Sequence, residues 1–430
     1  MFDLKSSSRS WDGFSRLDLQ GRLDLLTKTG LLTEEDIDLF RNGGRSLQLL
    51  GELIESAIGW LAMPLGVAVN FRIDNRDMII PMVVEETSVV ASVNKAAKWV
   101  KNHGELTTQH QGTLAIGQIQ FPKLQDPTAF FKIISAQKQA LINQVNEHVL
   151  SSLVARGGGA QDMEIRCLTR PDGGIMGVIH LMIDPCEAMG ANRINQACEF
   201  LRQPLQELTG EHVHLCILSN LPDARLTHAQ VIIHNVDPQL GKGIEEASLF
   251  AQLDSYRAVT HNKGIMNGMD AVVIATGNDW RAVEAGVHAY AARSGQYTSL
   301  SRWYMQGNNL HGTLTAPIHV GTVGGVTRLH PVAKKCLDLM KVQTATELSR
   351  VIAAVGLIQN LAALTALASE GIVTGHMKLH LNNLVLSVGA NPDEVEPLKQ
   401  LLKAQLEQKK HVSESDAFKI LQTMRMSLNV

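Results

Sequence analysis

The sequence predicts an α+β protein: a large domain of mixed helices and strands, interrupted by a smaller ferredoxin-like domain and followed by a helical tail. Three observations predict it. Between residues 113 and 220 the pattern reads strand, helix, strand, hairpin turn, strand, helix, strand, the βαββαβ order of a split βαβ unit. Long polar segments flank this block, as in an insertion. From Gly371 onward the pattern is helical throughout. The limits that follow are 1–112 with 221–371 for the large domain, 113–220 for the inserted one and 372–430 for the tail.

Each element has a local reason. Residues 15–60 carry apolar side chains at helical spacing. Met78–Val84 (MIIPMVV) is a short buried strand, and after Glu85-Glu86-Thr87-Ser88 a helix runs to about Lys101, with Ser88 placed to cap it. Thr113–Phe121 alternates like a strand. Asp126-Pro127 opens a long helix with proline at its first position, and Gly157-Gly158-Gly159 stops it. Met163–Leu168 and Ile175–Ile183 are strands joined by the turn Pro171-Asp172-Gly173-Gly174. A helix from about Met189 to Leu208 and a strand at His212–Leu218 complete the block. Polar turns and a helix through Ser248–Tyr256 follow. The apolar run Ala271–Ala275 reads as a buried strand. Asp279 caps a helix over Trp280–Arg293, and Tyr297–His319 is a hairpin around Gly307-Asn308-Asn309. After the glycine turn Gly321–Gly325, helices occupy Pro331–Lys341 and Thr344–Ser369.

Composition excludes several classes. A formal charge of -3 provides neither a basic field for nucleic acid nor an acidic tail. Five dispersed cysteines without a CxxC pair suggest reduced thiols in a cytoplasmic protein. The N-terminus lacks the apolar core of a signal peptide, and the richest apolar stretch, Ala57–Val69, is broken by Gly59, Pro64 and Gly66, so no membrane span is expected.

The chemistry-bearing stretch is Arg257–Asp279, RAVTHNKGIMNGMDAVVIATGND. It places Lys263 and Asp279 at the two ends of a dry element, where a charge is costly unless paired. Such a pair is either a structural ion pair or a tuned catalytic pair. No GxGxxG follows a strand, so the usual dinucleotide fingerprint is missing. Glu187-Ala188-Met189-Gly190-Ala191-Asn192 joins a strand to a helix with small residues, which suits either a close packing contact or a phosphate at the helix N-terminus. The 321–325 glycines form a tight turn or a phosphate cradle. His376 and His380 have metal-ligand spacing, but no motif supplies a third ligand, and no metal is expected.

Together, Glu86 in PMVVEETSVVAS, the strings HNKGIMNGMD and ATGNDWRAVEAG, the turn GTVGG with its trailing HP, and GHMKLH resemble one family, the class II (soluble) 3-hydroxy-3-methylglutaryl-coenzyme A (HMG-CoA) reductases. The resemblance runs from about Phe14 to the C-terminus. It implies a large domain that binds HMG-CoA, an inserted ferredoxin-like domain that binds NADH or NADPH, and a C-terminal helical flap. The implied reaction is the four-electron reduction of HMG-CoA to mevalonate and CoA through mevaldyl-CoA and mevaldehyde, or its reverse. By position in the matching motifs, Lys263 stabilises the oxyanion, Asp279 holds Lys263, Glu86 is the general acid and His376 protonates the CoA thiolate. Arg257, Ser88 and Asn267 resemble contacts to the HMG moiety. The Glu187–Asn192 loop and Asn220 resemble the cofactor contacts. The resemblance also implies a homodimer with shared active sites, with Glu52–Gly59 near the contact. A reductase of another acyl-CoA and a non-catalytic CoA-binding protein are the alternatives.

Two positions depart from the family pattern. The dinucleotide loop usually begins with Asp, and here it begins with Glu187. NAD-preferring members carry a carboxylate where this chain has Leu150, with Glu147, Arg156 and Arg166 nearby in sequence, so the choice between NADH and NADPH stays open.

Overall fold

The computed structural model describes residues 11, 13–44, 46–369, 381, 384–385, 387–409 and 412–428. Three short helices open the chain: α1 (Leu19–Lys28), α2 (Glu34–Asn42) and α3 (Leu47–Leu53). α2 starts in a capping box, with the Thr33 hydroxyl accepting from Asp36 N and the Asp36 carboxylate accepting from Thr33 N. β1 (Leu65–Ile73) and β2 (Arg76–Val83) form an antiparallel hairpin. β1 is absent from the sequence reading, because its apolar start merges with the preceding apolar stretch. α4 (Val89–His103) follows. Ser88 occupies its N-cap position in the left-handed region (φ 77°), and its side chain does not cap the helix as expected.

β3 (Gly104–Gln111) leads into the insertion and β8 (Leu226–Ile233) leads out of it. They pair antiparallel, with Gln111 opposite Leu226, so the insertion springs from the adjoining ends of two bonded strands. Both strands are missing from the sequence reading, since each carries several polar residues. Within the insertion lie β4 (Ala115–Phe121), α5 (Pro127–His148), α6 (Ser151–Val154), β5 (Gly159–Thr169), β6 (Ile175–Asp184), α7 (Ala191–Thr209) and β7 (Leu215–Ser219). Their sheet is antiparallel in the order β5-β6-β4-β7, the ferredoxin-like arrangement. It has its own apolar core, built around Ile119, Phe121, Phe130, Ile179, Leu181 and Leu201. Asp126 caps α5 by accepting from Thr128 N and Ala129 N, as its position before Pro127 predicts. The single helix expected up to Gly157 is two, because the chain breaks at Val149–Leu150 and turns Leu150 fully into the core.

The second part of the large domain contains α8 (Pro238–Leu253), α9 (Ser255–Ala275), α10 (Trp280–Ala291), β9 (Ser301–Gln306), β10 (Asn309–Ala316), α11 (Gly325–Leu329), α12 (Pro331–Met340) and α13 (Ala345–Ala368). β3-β8-β10-β9 form one antiparallel sheet, and the β9–β10 hairpin turns at Gly307-Asn308 as expected. The helix expected through Ser248–Tyr256 is broken at Asp254, which ends α8 and caps α9 by accepting from Arg257 N.

Ala271–Ala275 is the end of α9, not a strand. A five-residue apolar run does not separate the two. Over the longer span, Ala258, Ile265, Met266, Met269, Val272 and Val273 are buried at helical spacing. Likewise the most apolar segment is α13 rather than Ala57–Val69. Its mean hydropathy of 2.0 and 24 residues would suffice to cross a membrane, yet it packs against α4, α8 and α9 with 67% of that window buried. A helix covered on most sides has no need of a polar face. After the central region, α14 (Pro392–Lys409) and α15 (Glu414–Leu428) close a small separate core with Leu398, Leu402, Ala417 and Leu421. His376 and His380 lie outside the described residues.

Gly112, at the root of the insertion, has φ 70°, and a Cβ there would lie 2.0 Å from Ala224 O. Gly112→Ala is expected to lower unfolding stability by more than about 2 kcal/mol in urea titrations. Gly173→Ala, at φ 78° in open space, should cost only the left-handed strain, about 1 kcal/mol.

Candidate active site

α9 carries Arg257 and Lys263 in its N-terminal half and Asn267 just past its midpoint. Packing of α9 against β2 brings Lys263 to the segment after that strand. There Lys263 Nζ donates to Glu86 Oε2 at 2.9 Å, with the two side chains 61% and 41% exposed. The ion pair expected from sequence, Lys263 with Asp279, is therefore not the one formed. Twelve residues of helix separate Lys263 from Ala275, about 18 Å at 1.5 Å per residue, and Asp279 lies beyond that end. Asp279 caps α10 instead: its Oδ1 accepts from Arg281 N and Ala282 N, both at 3.1 Å, and faces Arg281 Nε at 3.5 Å.

Arg257 is half-buried, and among the described residues its guanidinium has no carboxylate partner. Burial holds its pKa below the usual arginine value. A partly desolvated guanidinium without a counter-ion favours an anionic ligand, and its planar fork matches a carboxylate. Lys263, paired with Glu86, and Asn267 stand one turn apart on α9, and Arg257 lies nearer the start of the same helix.

A second polar cluster gathers at the C-terminal end of α9. Asn278, next to Asp279, grips the glycine turn from both sides: its Nδ2 donates to Gly321 O at 3.1 Å and its Oδ1 accepts from Gly321 N at 2.8 Å. The turn lies against the Glu187–Asn192 loop, where Glu187 O accepts from Thr322 N at 2.8 Å. Gly321 has to be glycine, since a Cβ would stand 2.7 Å from Met189 N and 3.0 Å from Glu187 O. Asn220 O lies against Gly286 of α10, 2.5 Å from where a Cβ would project. Gly190 is the N-cap of α7 at φ 76°, and no side chain caps that helix. Its first-turn N–H groups can therefore meet an anion. Glu187 has another engagement: its carboxylate accepts from Ala345 N, in the first turn of α13. Leu150, the position compared for cofactor choice, is fully buried and presents nothing to a ribose.

Sequence reasoning missed a polar line that runs from α9 across α10 to Tyr297. Asp270 of α9 faces Glu284 of α10; Glu284 Oε2 lies 2.6 Å from His288 Nε2, and His288 Nδ1 lies 2.7 Å from Tyr297 Oη. Burial first, and Glu284 second, push the Asp270 carboxyl up to about 9. The available signal was a lone Asp at helical spacing from the buried Met266 and Val273. It also missed Arg225, fully buried beside Asp184 and Glu187, and the Asn278 grip. His319 is buried, and desolvation pushes it down to about 3.

The family model described as hydroxymethylglutaryl-coenzyme A reductase matches residues 18–381. The chain is 42% identical to the 3-hydroxy-3-methylglutaryl-coenzyme A reductase of Archaeoglobus fulgidus over 91% of its own length and 90% of that protein. It is 34% identical to the probable enzyme of Borreliella burgdorferi over 90% of each. Among solved structures, the Streptococcus pneumoniae reductase superposes with a TM-score of 0.81 at 37% identity, covering 96% of this chain and all of that one. The class II enzyme of the same organism, bound to NADPH in open conformations, gives 0.80 over 84% of this chain and all of that one. The protein is an oxidoreductase with the class II fold. It belongs to the HMG-CoA reductase family, and its activity is that of an HMG-CoA reductase.

Asp270 gives a pH prediction. An unfolded Asp titrates near 4, while the folded group titrates near 9. The folded state therefore holds the extra proton between these values, and stability from this group falls as pH rises through that window. Asp270→Asn mimics the protonated acid. Its melting temperature relative to the unsubstituted protein should rise steadily from pH 5 to 8.5; parallel pH curves would contradict this.

Proposed function

We propose that the chain works as a homodimer in which the acyl-CoA half-site of one subunit meets the dinucleotide half-site of its partner, and that NADPH is the reductant. The observation that carries this reading is the separation of Lys263 from Asp279 along α9, which leaves each chain with two incomplete sites. An apolar strip beside Lys263 supports it: Phe250, Leu253, Tyr256 and Val259 are 56%, 70%, 90% and 55% exposed. Exposed apolar clusters of this kind mark interaction surfaces. In domain terms, 1–112 with 221–371 bind HMG-CoA, 113–220 bind the dinucleotide and 372–430 form the flap. A cytoplasmic location fits the five free cysteines and the burial of α13.

The uncapped N-terminus of α7 and the small residues around Gly190 and Gly321 fit a dinucleotide pyrophosphate. Arg156 is exposed close to the start of that loop: Cys186 Sγ is 3.9 Å from Arg156 O. An arginine there suits a ribose 2′-phosphate, and an S. pneumoniae relative is described as binding NADPH. When bound, the reduced nicotinamide supplies hydride to the carbonyl carbon.

The chain's own residues then handle charge and protons. Arg257 holds the distal carboxylate of HMG-CoA, with Ser88 and Asn267 as polar contacts to the same moiety. Lys263 donates to the thioester oxygen as it gains negative charge, an interaction stronger in the transition state than in the ground state. Asp279 of the partner subunit and Glu86 hold that ammonium from two sides. His376 protonates the departing CoA thiolate, and Glu86 protonates the mevaldehyde oxygen in the second reduction. Because Lys263 and Glu86 are largely exposed in the single chain, the partner subunit and the C-terminal flap have to exclude water before chemistry.

Spectrophotometric turnover tests the reading. HMG-CoA should be reduced with NADPH at least tenfold more efficiently than with NADH, a neutral acyl-CoA should turn over poorly, and Arg257→Ala should raise KM for HMG-CoA about 100-fold. Equal use of HMG-CoA and a neutral acyl-CoA would instead favour a reductase of another thioester. Lys263→Ala should reduce kcat about 1,000-fold in both reductive steps. His376→Gln should spare mevaldehyde reduction far more than thioester reduction.

A further inference from the structure

The Glu187–Asn192 loop is attached to the large domain at three points that converge on one residue. Glu187 O accepts from Thr322 N and, more weakly at 3.4 Å, from Val323 N. The Glu187 carboxylate accepts from Ala345 N. Ala345 opens α13, whose 24 residues run through the middle of the large-domain core. A carboxylate at a helix N-terminus is favoured by the free N–H groups and the helix dipole. The same glycine turn is held by Asn278, whose neighbour Asp279 caps α10. Loop, turn, α10 and α13 are thus one hydrogen-bonded assembly, and Glu187 is its member from the inserted domain.

We propose that Glu187 is a positioning residue that pins the dinucleotide loop to α13 and does not itself contact the dinucleotide; the proposal rests on the reading of that loop as the dinucleotide site. The pin explains the departure from the family pattern. An aspartate shortens the side chain by one C–C bond, about 1.5 Å, which takes its oxygen out of hydrogen-bond range of Ala345 N. The extra methylene is what lets this carboxylate reach α13. The pin adds a side-chain hold on the loop at the start of α7 to the backbone contacts it makes with the glycine turn.

The test compares Glu187→Gln, Glu187→Asp and Glu187→Ala. Gln keeps an acceptor oxygen at the right reach and loses the charge; Asp keeps the charge and loses the reach. Hydrogen exchange of the peptide containing Ala345 is read first, without cofactor. It should accelerate about tenfold or more in the Asp and Ala variants and much less in Gln. NADPH affinity, measured by fluorescence titration without turnover, should weaken about tenfold in Asp and Ala and less in Gln, while KM for HMG-CoA stays unchanged. Melting temperatures are recorded alongside. If Asp binds NADPH as tightly as Gln or more tightly, the carboxylate acts on the dinucleotide directly and the pin is overturned. Unchanged exchange in Asp and Ala also overturns it. Failure of the unsubstituted protein to bind NADPH would sink the functional reading instead, and the exchange result would still decide the pin.

Discussion

The length of one buried helix constrains everything else in this protein. α9 must bury Ala258, Ile265, Met266, Met269, Val272 and Val273 against β2, α4 and α13, and it does so without a break. Within the chain, Lys263 in the first half of α9 pairs with Glu86, and Asp279 beyond the C-terminal end of α9 caps α10. Each end gathers its own neighbours. On one side, Glu86 takes the lysine, and the Arg257 guanidinium has no carboxylate partner among the described residues. At the other, Asn278, the glycine turn and the Glu187 loop lock together. On the proposed reading these two ends are half-sites that one rigid element spaces apart, and a two-fold axis can set one against the other across a dimer.

The inserted domain is positioned by the same economy of attachment. It leaves and returns through β3 and β8, which are bonded to each other, so its root is rigid. Gly112 permits the tight crossing there. The far contact is made by the Glu187 loop on Gly321 and α13. Between root and contact the insertion folds on its own apolar core. The Glu187–Asn192 loop is consequently placed by the large domain, although its residues belong to the small one.

Much of this was legible in the residues. The ferredoxin-like block could be read because its turns carry Pro-Asp-Gly-Gly and triple glycine, and because Asp126-Pro127 announces a helix start. The family was legible in the motif strings around Glu86, Lys263 and Asp279. Two kinds of feature were not. β3 and β8 carry Thr, Gln and His at interior positions, so hydropathy hides them. Ala271–Ala275 was apolar on every side, so a short window carried no period. The pairing of charges was the deeper miss. Lys263 and Asp279 are close in sequence and far apart on a helix, whereas Glu86 is 177 residues away and in contact. Reading that needs the helix assignment first. The role of Glu187 depended on the position of α13, which no local pattern supplies.

The account stands or falls on whether Lys263 and Asp279 meet across a subunit boundary. Lys263→Ala and Asp279→Ala proteins, each inactive alone, are to be unfolded, mixed in equal amounts and refolded together. Half the dimers then carry one of each chain, and in those one of two sites has both residues, so about a quarter of the original activity should return. If the mixture stays as inactive as its parts while heterodimers are shown to form, Lys263 and Asp279 do not work across the boundary and the two-half-site account is wrong.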